Sequence, residues 1–235
     1  MLFRRASRST DDLTTQRIEA FSDGVLAIAI TLLILEIKVP QVAAEKGPTL
    51  GHSLLTLWPS YIAYVLSFLM IGIYWANHHY VFQLYQHTDH FFNLLNVLFL
   101  MCISFLPFPT AVLGDYISHP PQRQSAISFY SLGLLLPAVG WSCMWFYACK
   151  AKLLDERLDK AFVVLLTKQY VGSLVLYFFS FVVSFWLPIA SILLSVVLTL
   201  LFLRPPIAPV YIKEEESEEA QHEPHDEPHK ERRDS

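Results

Sequence analysis

Four runs of this chain contain no Asp, Glu, Lys or Arg: Ser53–Ala76, Phe91–Leu113, Ser125–Cys149 and Gln169–Leu203. Helices that face water interrupt their apolar side with charge at nearly every turn. A helix crossing roughly 30 Å of hydrocarbon instead needs about 20 consecutive apolar residues. The first three runs each suffice for one crossing. The fourth is too long for one, and Pro188 near its middle divides it into spans five and six, because proline cannot continue a helix interior.

A further stretch, Ile18–Val39, has a clean centre from Gly24 to Leu35 but carries Glu19, Asp23, Glu36 and Lys38 toward its ends, as an amphiphilic first span would. A cleaved leader competes for the same residues: Arg4, Arg5 and Arg8 imitate its basic start, and Val42-Ala43-Ala44 its processing site. Asp23 would then lie inside the leader's apolar segment, and the basic start is too long, so a retained span fits better. The expected fold is all-α, a polytopic membrane protein with six transmembrane helices. Its parts are an N-terminal segment over 1–13, a six-helix domain over 14–207 and an acidic tail over 208–235.

Composition agrees, since 54% of the 235 residues are apolar and 16% charged, against about a quarter charged in soluble chains. The net charge of -4 conceals a division. Residues 213–235 hold ten acids and four bases, and the rest eleven acids and thirteen bases, so the body is nearly neutral. It lacks the basic face a nucleic acid requires. Cys102, Cys143 and Cys149 are scattered through apolar runs and form neither a disulfide framework nor a zinc motif.

Six spans place both termini on one side. Arg4, Arg5, Arg8 and Arg17, the group Lys150, Lys152, Arg157 and Lys160, and Arg204 all fall there, against Lys46 and Arg123 on the other. The positive-inside rule makes that side cytoplasmic in a multi-pass protein of the cell membrane. The tail is too polar to bury a core and reads as disordered. His222, His225 and His229 within it could chelate a divalent ion weakly, but a solvated tail is the better account of them. No pair of related halves is visible, which disfavours an inverted-repeat transporter. Trp58, Trp75 and Trp186 fall at span ends, where indoles favour the headgroup level. Trp141 and Trp145, one turn apart, read as packing residues.

The first span is the most informative. At about 100° per residue, Gly24, Ile28, Thr31 and Leu35 share one narrow stripe with Leu32 on its shoulder. Taken alone, this stripe suits lipid or helix packing better than a pore, and the polar cluster below it shifts the balance. At its foot stand Arg17, Phe21, Ser22 and Asp23, and polar groups at that depth are costly unless paired. Partners are available in Trp75, Asn77, His78 and His79 at the end of the second span, and in Asn93 and Asn96 entering the third. A polar belt of this kind would hold the base of a pore-lining helix still.

The pattern Arg17-x-x-x-Phe21-Ser22-Asp23-Gly24 resembles the signature of the transmembrane protein 175 potassium channels. Trp75-Ala-Asn-His78-His79, Phe91-Phe-Asn-Leu-Leu-Asn and Phe105-Leu-Pro107-Phe-Pro109 are similar to its prokaryotic branch. The resemblance covers residues 14–203 in a single six-span copy. It implies a homotetramer in the bilayer whose first helices line a central pore passing potassium in preference to sodium, with no cofactor. It also implies a constriction of bulky aliphatics, which falls on Ile28, Leu32 and Leu35, with a hydroxyl at Thr31. Whether Thr31 faces the pore or bonds the carbonyl one turn back stays open at this stage. No Thr-Val-Gly-Tyr-Gly run occurs, so selectivity by a ring of carbonyls is not expected.

Three other functions compete. His78, His79, His87 and His90, with Asp89 the local carboxylate, could form a membrane metal centre. They fall short of the His-rich boxes of di-iron oxidases, and hydrogen bonding in a polar belt and a wet loop explains them more simply. A proton-coupled carrier could use Asp23 or Glu36, and Glu36, if it faced the pore, would concentrate external cations. A non-transporting scaffold is the third. No nucleophile–base pair or Gly-rich phosphate loop is present, so no enzyme is expected.

Overall fold

The computed structural model describes residues 10–41, 48–204 and 207–211, with backbone alone for residues 10–14. The described residues form helices α1 (Thr10–Leu32), α2 (Leu50–Thr56), α3 (Trp58–Phe82), α4 (His90–Phe105), α5 (Pro107–Tyr116), α6 (Pro120–Lys150), α7 (Lys160–Val183) and α8 (Pro188–Phe202). A 3₁₀ turn, Leu33–Glu36, tightens the end of α1. No strand occurs among these residues, only two isolated bridges.

Five helical stretches are long and apolar enough to cross a bilayer: Thr15–Glu36, Trp58–Phe82, His90–Tyr116, Pro120–Lys150 and Lys160–Val183. The sixth, α8, is apolar but has 15 residues, or about 22 Å at 1.5 Å per residue, less than the full hydrocarbon thickness. Proline sets several boundaries. Pro59, Pro107, Pro120 and Pro188 stand in the first turns of their helices, where a missing N–H costs nothing. The third span is broken at Leu106 into α4 and α5 by Pro107. Aspartate caps do the same work at the other end of the bundle: Asp89 accepts the Phe92 N–H at 2.7 Å, and Asp159 those of Ala161 and Phe162.

Helix α6 is the spine of the fold. Gly140 lies so near α4 that a Cβ there would come within 3.1 Å of the Phe99 Cα, and one on Gly133 would fall 2.6 Å from Pro109. Two turns apart on one face, these glycines admit α4 and α5 at close range, as small residues do between membrane helices. The space beside them is filled by aromatics, with Phe99 edge-on to both Trp141 and Tyr74 at 5.4 Å. Hydroxyls stitch the remaining helices. Ser131 on α6 meets Ser191 on α8 at 2.9 Å, Ser180 on α7 meets Ser195 at 3.1 Å, and Ser184 donates to Ser128 at 2.8 Å. Inside a bilayer such buried hydroxyls must pair with one another or with backbone.

The loops at one end close over each other. Gln86 N–H donates to Leu153 O and Asp155 N–H to Leu84 O, each at 2.9 Å. Leu158 bridges to Tyr211, and the Tyr80 hydroxyl donates to Ile207 O at 2.5 Å. The residues from 212 onward, including His222, His225 and His229, lie outside the described residues.

Candidate functional site

Every residue of the polar footing sits on α1, α3 or α4, which cross at the loop end of the bundle. Ser22 is fully buried and sends its proton to the Ile18 carbonyl at 2.9 Å. Its oxygen is therefore left to accept, and the Asn96 amide donates to it at 2.9 Å. The Asn96 carbonyl oxygen then faces His78 Nε2 at 3.1 Å. That nitrogen must carry the hydrogen, which fixes a neutral Nε2–H tautomer and a single direction for the whole chain of bonds: His78 to Asn96 to Ser22 to Ile18. His78 Nδ1 is buried with no partner among the described residues, and the ring stacks on Phe82 at 4.1 Å. Three helices are thereby tied by neutral groups, which avoids the cost of a buried ion.

Two charged bonds lie outside that buried line. Trp75 Nε1 donates to Asp23 Oδ1 at 3.1 Å, and Glu19 meets His79 Nδ1 at 2.6 Å. Each joins α1 to α3. Gln83, one turn beyond His79, touches its other nitrogen at 3.0 Å. The remaining sequence candidates are placed differently. Asn77 donates to Ile73 O of its own helix, the Asn93 Oδ1 is buried without a partner, and Arg17 is exposed with no ion pair among the described residues. Glu19 and Gln83 are partners that the sequence pattern alone does not pick out. An acid at the foot of one span and an imidazole at the foot of the next were the available signal.

Above the footing α1 has two faces. Ser22, Leu26, Ala29 and Leu33 are each at most 1% exposed and pack into the bundle. Phe21, Gly24, Ala27, Ile28, Thr31, Leu32 and Leu35 turn away from it, with Ile28 at 61% and Leu35 at 70% exposure, and a Cβ on Gly24 would meet nothing within 4 Å. Thr31 Oγ1 donates to the carbonyls of Ala27 and Ile28 at 3.0 and 2.9 Å. The hydroxyl bonds its own backbone and still stands on the open face. With its proton spent, it offers that face lone pairs only. Glu36 lines a hollow of about 190 Å³ with Leu33, Ser60 and Gly114, on the bundle side of the helix.

The four histidines near the α3–α4 turn do not converge: His78 lies in the buried chain, His79 on Glu19, and Asp89 caps α4 while accepting the Tyr147 hydroxyl at 2.6 Å. Among the described residues no three His, Cys, Asp or Glu side chains are placed to hold a metal ion.

Residues 17–107 match the family described as Endosomal/lysosomal potassium channel TMEM175. A Chamaesiphon minutus protein named as a potassium channel is 48% identical over 179 residues, which cover 74% of this chain and 88% of that relative. The chain belongs to the TMEM175 family. A Streptomyces collinus relative, also named as a potassium channel, is 46% identical over 144 residues, covering 61% of this chain and 69% of its own length. The crystal structure of a lysosomal potassium-selective channel TMEM175 homolog from Chamaesiphon minutus aligns with a TM-score of 0.73 at 44% identity, covering 81% of this chain and 96% of that one. The TMEM175 match runs from Arg17, inside α1, to Pro107, and so takes in the parts of α1, α3 and α4 that carry the hydrogen-bonded footing.

Proposed function

We propose that this chain is a potassium-selective ion channel, and that four copies set their α1 helices around a central axis to form its pore. The observation that carries the reading is the open face of α1: a helix anchored at its foot by three separate links leaves Gly24, Ile28, Thr31 and Leu35 exposed among the described residues. Membership in a family whose close relatives are named potassium channels gives that face a use.

Four such faces make rings. Ile28, Leu32 and Leu35 form an apolar constriction in which water is poorly held, so that a cation passes only where the ring is wide enough to keep it partly hydrated. Thr31 sits between them, and its backbone-bonded hydroxyl turns oxygen lone pairs inward, the polarity a cation requires. Asp23, Ser22 and Glu19 brace the helix through α3 and α4 rather than contacting the ion. Arg17, Phe21 and Gly24 complete the motif at its base. Potassium is the permeant species and no cofactor takes part. Loop contacts gather the ends of α3, α6 and α8 and the start of α7 at one pole, which brings Lys150, Lys152, Arg157, Lys160 and Arg204 together. That pole is cytoplasmic in a cell membrane by the positive-inside rule.

Reversal potentials of the purified protein in a planar bilayer, with potassium on one side and sodium on the other, test the function. A potential displaced toward potassium equilibrium is the expected result. Zero current, or a potential that follows an imposed proton gradient, would overturn it in favour of a scaffold or a proton-coupled carrier.

A further inference from the structure

Between α3 and the α7–α8 pair, with α6 behind the first, lie two adjoining hollows of about 490 and 590 Å³, counted out to their open sides, which share Ile73, Asn77 and Phe202 on their walls. Together they make a groove along α3 from Phe68 to Asn77. Nine residue steps at 1.5 Å give about 14 Å, and one leaflet contributes half of a hydrocarbon core roughly 30 Å thick. The groove therefore has the depth of a single leaflet. Gly72 and Ala76 keep its α3 wall shallow, and a Cβ on Gly72 would meet nothing within 4 Å.

Besides the hydroxyls of Tyr74, Tyr170, Ser173 and Tyr177, its walls carry Arg204, Gln169 and Asn77. Arg204 stands at the mouth, exposed, with no ion pair among the described residues. Gln169 is exposed with its amide unbonded among them, and Asn77 spends one N–H on Ile73 O at 2.8 Å, leaving the other and its oxygen. Among the described residues no acidic side chain lines either hollow. A guanidinium recognises phosphate oxygens in a two-pronged fashion, free amide N–H groups suit ester carbonyls, and an apolar trough open to a bilayer suits hydrocarbon. The described lining thus offers a cation for phosphate oxygens and no carboxylate for a choline or ethanolammonium cation.

We propose that this groove holds one acyl chain of an anionic glycerophospholipid of the cytoplasmic leaflet, with the phosphate on Arg204 and the ester region against Asn77 and Gln169. The leaflet rests on the orientation proposed above, whereas the binding does not depend on conduction. Anionic lipid bound there would fasten α8, the shortest span, to α3.

Native mass spectrometry of the purified full chain in detergent, titrated with phosphatidylglycerol or phosphatidylcholine, tests it, with thermal unfolding in inorganic phosphate as a third arm. The expected results are preferential retention of phosphatidylglycerol, a loss of roughly five-fold in Arg204→Gln, as for one basic contact to an anionic headgroup, and recovery in Arg204→Lys. Ala76→Trp, which fills the trough, should lower retention of both lipids. Equal retention of the two lipids, or no change in Arg204→Gln, would overturn the proposal. So would protection by inorganic phosphate equal to that by the lipid, which makes the site one for a free anion. Cross-linking of Ala76→Cys between copies would assign the groove to a second subunit instead. Because potassium flux is not read, a failure of the channel reading leaves each of these outcomes intact.

Discussion

Helices α1 and α7 are buried within the chain to the same extent, 22% over their most apolar windows, yet they expose different chemistry. In the span proper α7 presents Val171, Val175, Leu176, Phe178 and Phe179, all bulky and apolar. Helix α1 presents Gly24, Ala27 and Thr31 among its aliphatics. Lipid places no premium on small or hydroxyl-bearing residues, whereas close helix approach and a polar permeant do. Equal exposure thus conceals two surfaces, one finished by the bilayer and one that on our proposal is finished by three more copies of itself. Helix α6, 61% buried, marks the other extreme: it is completed by its own chain.

The sharpest way to break this contrast is a matched pair of polar substitutions. Ile28→Asn on α1 should wet the constriction and give a several-fold rise in leak or loss of discrimination between potassium and sodium in bilayer recordings, while Val175→Asn on α7 leaves the reversal potential unchanged. A change at both sites or at neither would erase the distinction. Next in size is the footing. Asn96→Leu removes the acceptor of His78 Nε2–H and the donor to Ser22, at about 1–3 kcal/mol for each buried group left unpaired, read as a lower unfolding temperature in detergent. Asp23→Ala removes the acceptor of Trp75 at about 1.5–3 kcal/mol for a bond to a charged group, and on our reading it weakens the tetramer on native gels. An equally stable assembly would take Asp23 out of the bracing role.

Subtler changes sharpen the role of the hydroxyl. Thr31→Ser keeps an oxygen that can bond the carbonyls of Ala27 and Ile28 and should keep the potassium preference, whereas Thr31→Val, the same shape without the oxygen, should reduce it. Equal reversal potentials for the two variants would confine Thr31 to packing. The smallest effect is expected at Asp89, remote from the open face. Burial acts to raise its carboxyl, but the Phe92 and Phe91 N–H groups, the Tyr147 hydroxyl and nearby His87 outweigh this and hold it below the usual carboxylate range. A depressed folded value adds stability above the unfolded pKa of about 3.9, and that stability is lost as the pH falls through the folded value. Thermal unfolding between pH 5 and about pH 2 should show the loss, and Asp89→Asn should blunt it.

Much of the fold was legible because hydrocarbon thickness imposes a length on every uncharged run. The limits of that signal appear at particular residues. A charge-free window opens the fifth span at Gln169, but α7 begins at Lys160 and carries Lys168 on an exposed face, since a lysine stem can lie in the hydrocarbon while its ammonium reaches the headgroups. The window also ran through Leu57, where α2 ends before Trp58 and Pro59 open α3, and through Leu106, where α4 ends before Pro107 opens α5, because breaks inside apolar runs leave hydropathy unchanged. In the footing, residue types were readable and pairings were not. Depth alone nominated Asn77, Asn93 and Asn96 alike, and only the rotation of each helix decides that Asn96 reaches Ser22 while Asn77 folds back on its own backbone.

The central claim, that the open face of α1 lines a water-filled path, is tested most directly by cysteine accessibility in a background freed of Cys102, Cys143 and Cys149. With single cysteines placed at Thr31 and at Val175, a charged, water-soluble thiol reagent should block the potassium current at Thr31→Cys and leave Val175→Cys untouched. Full current through a Thr31→Cys channel after treatment, with its thiol reachable only by lipid-soluble reagents, would place that face against acyl chains and contradict the account.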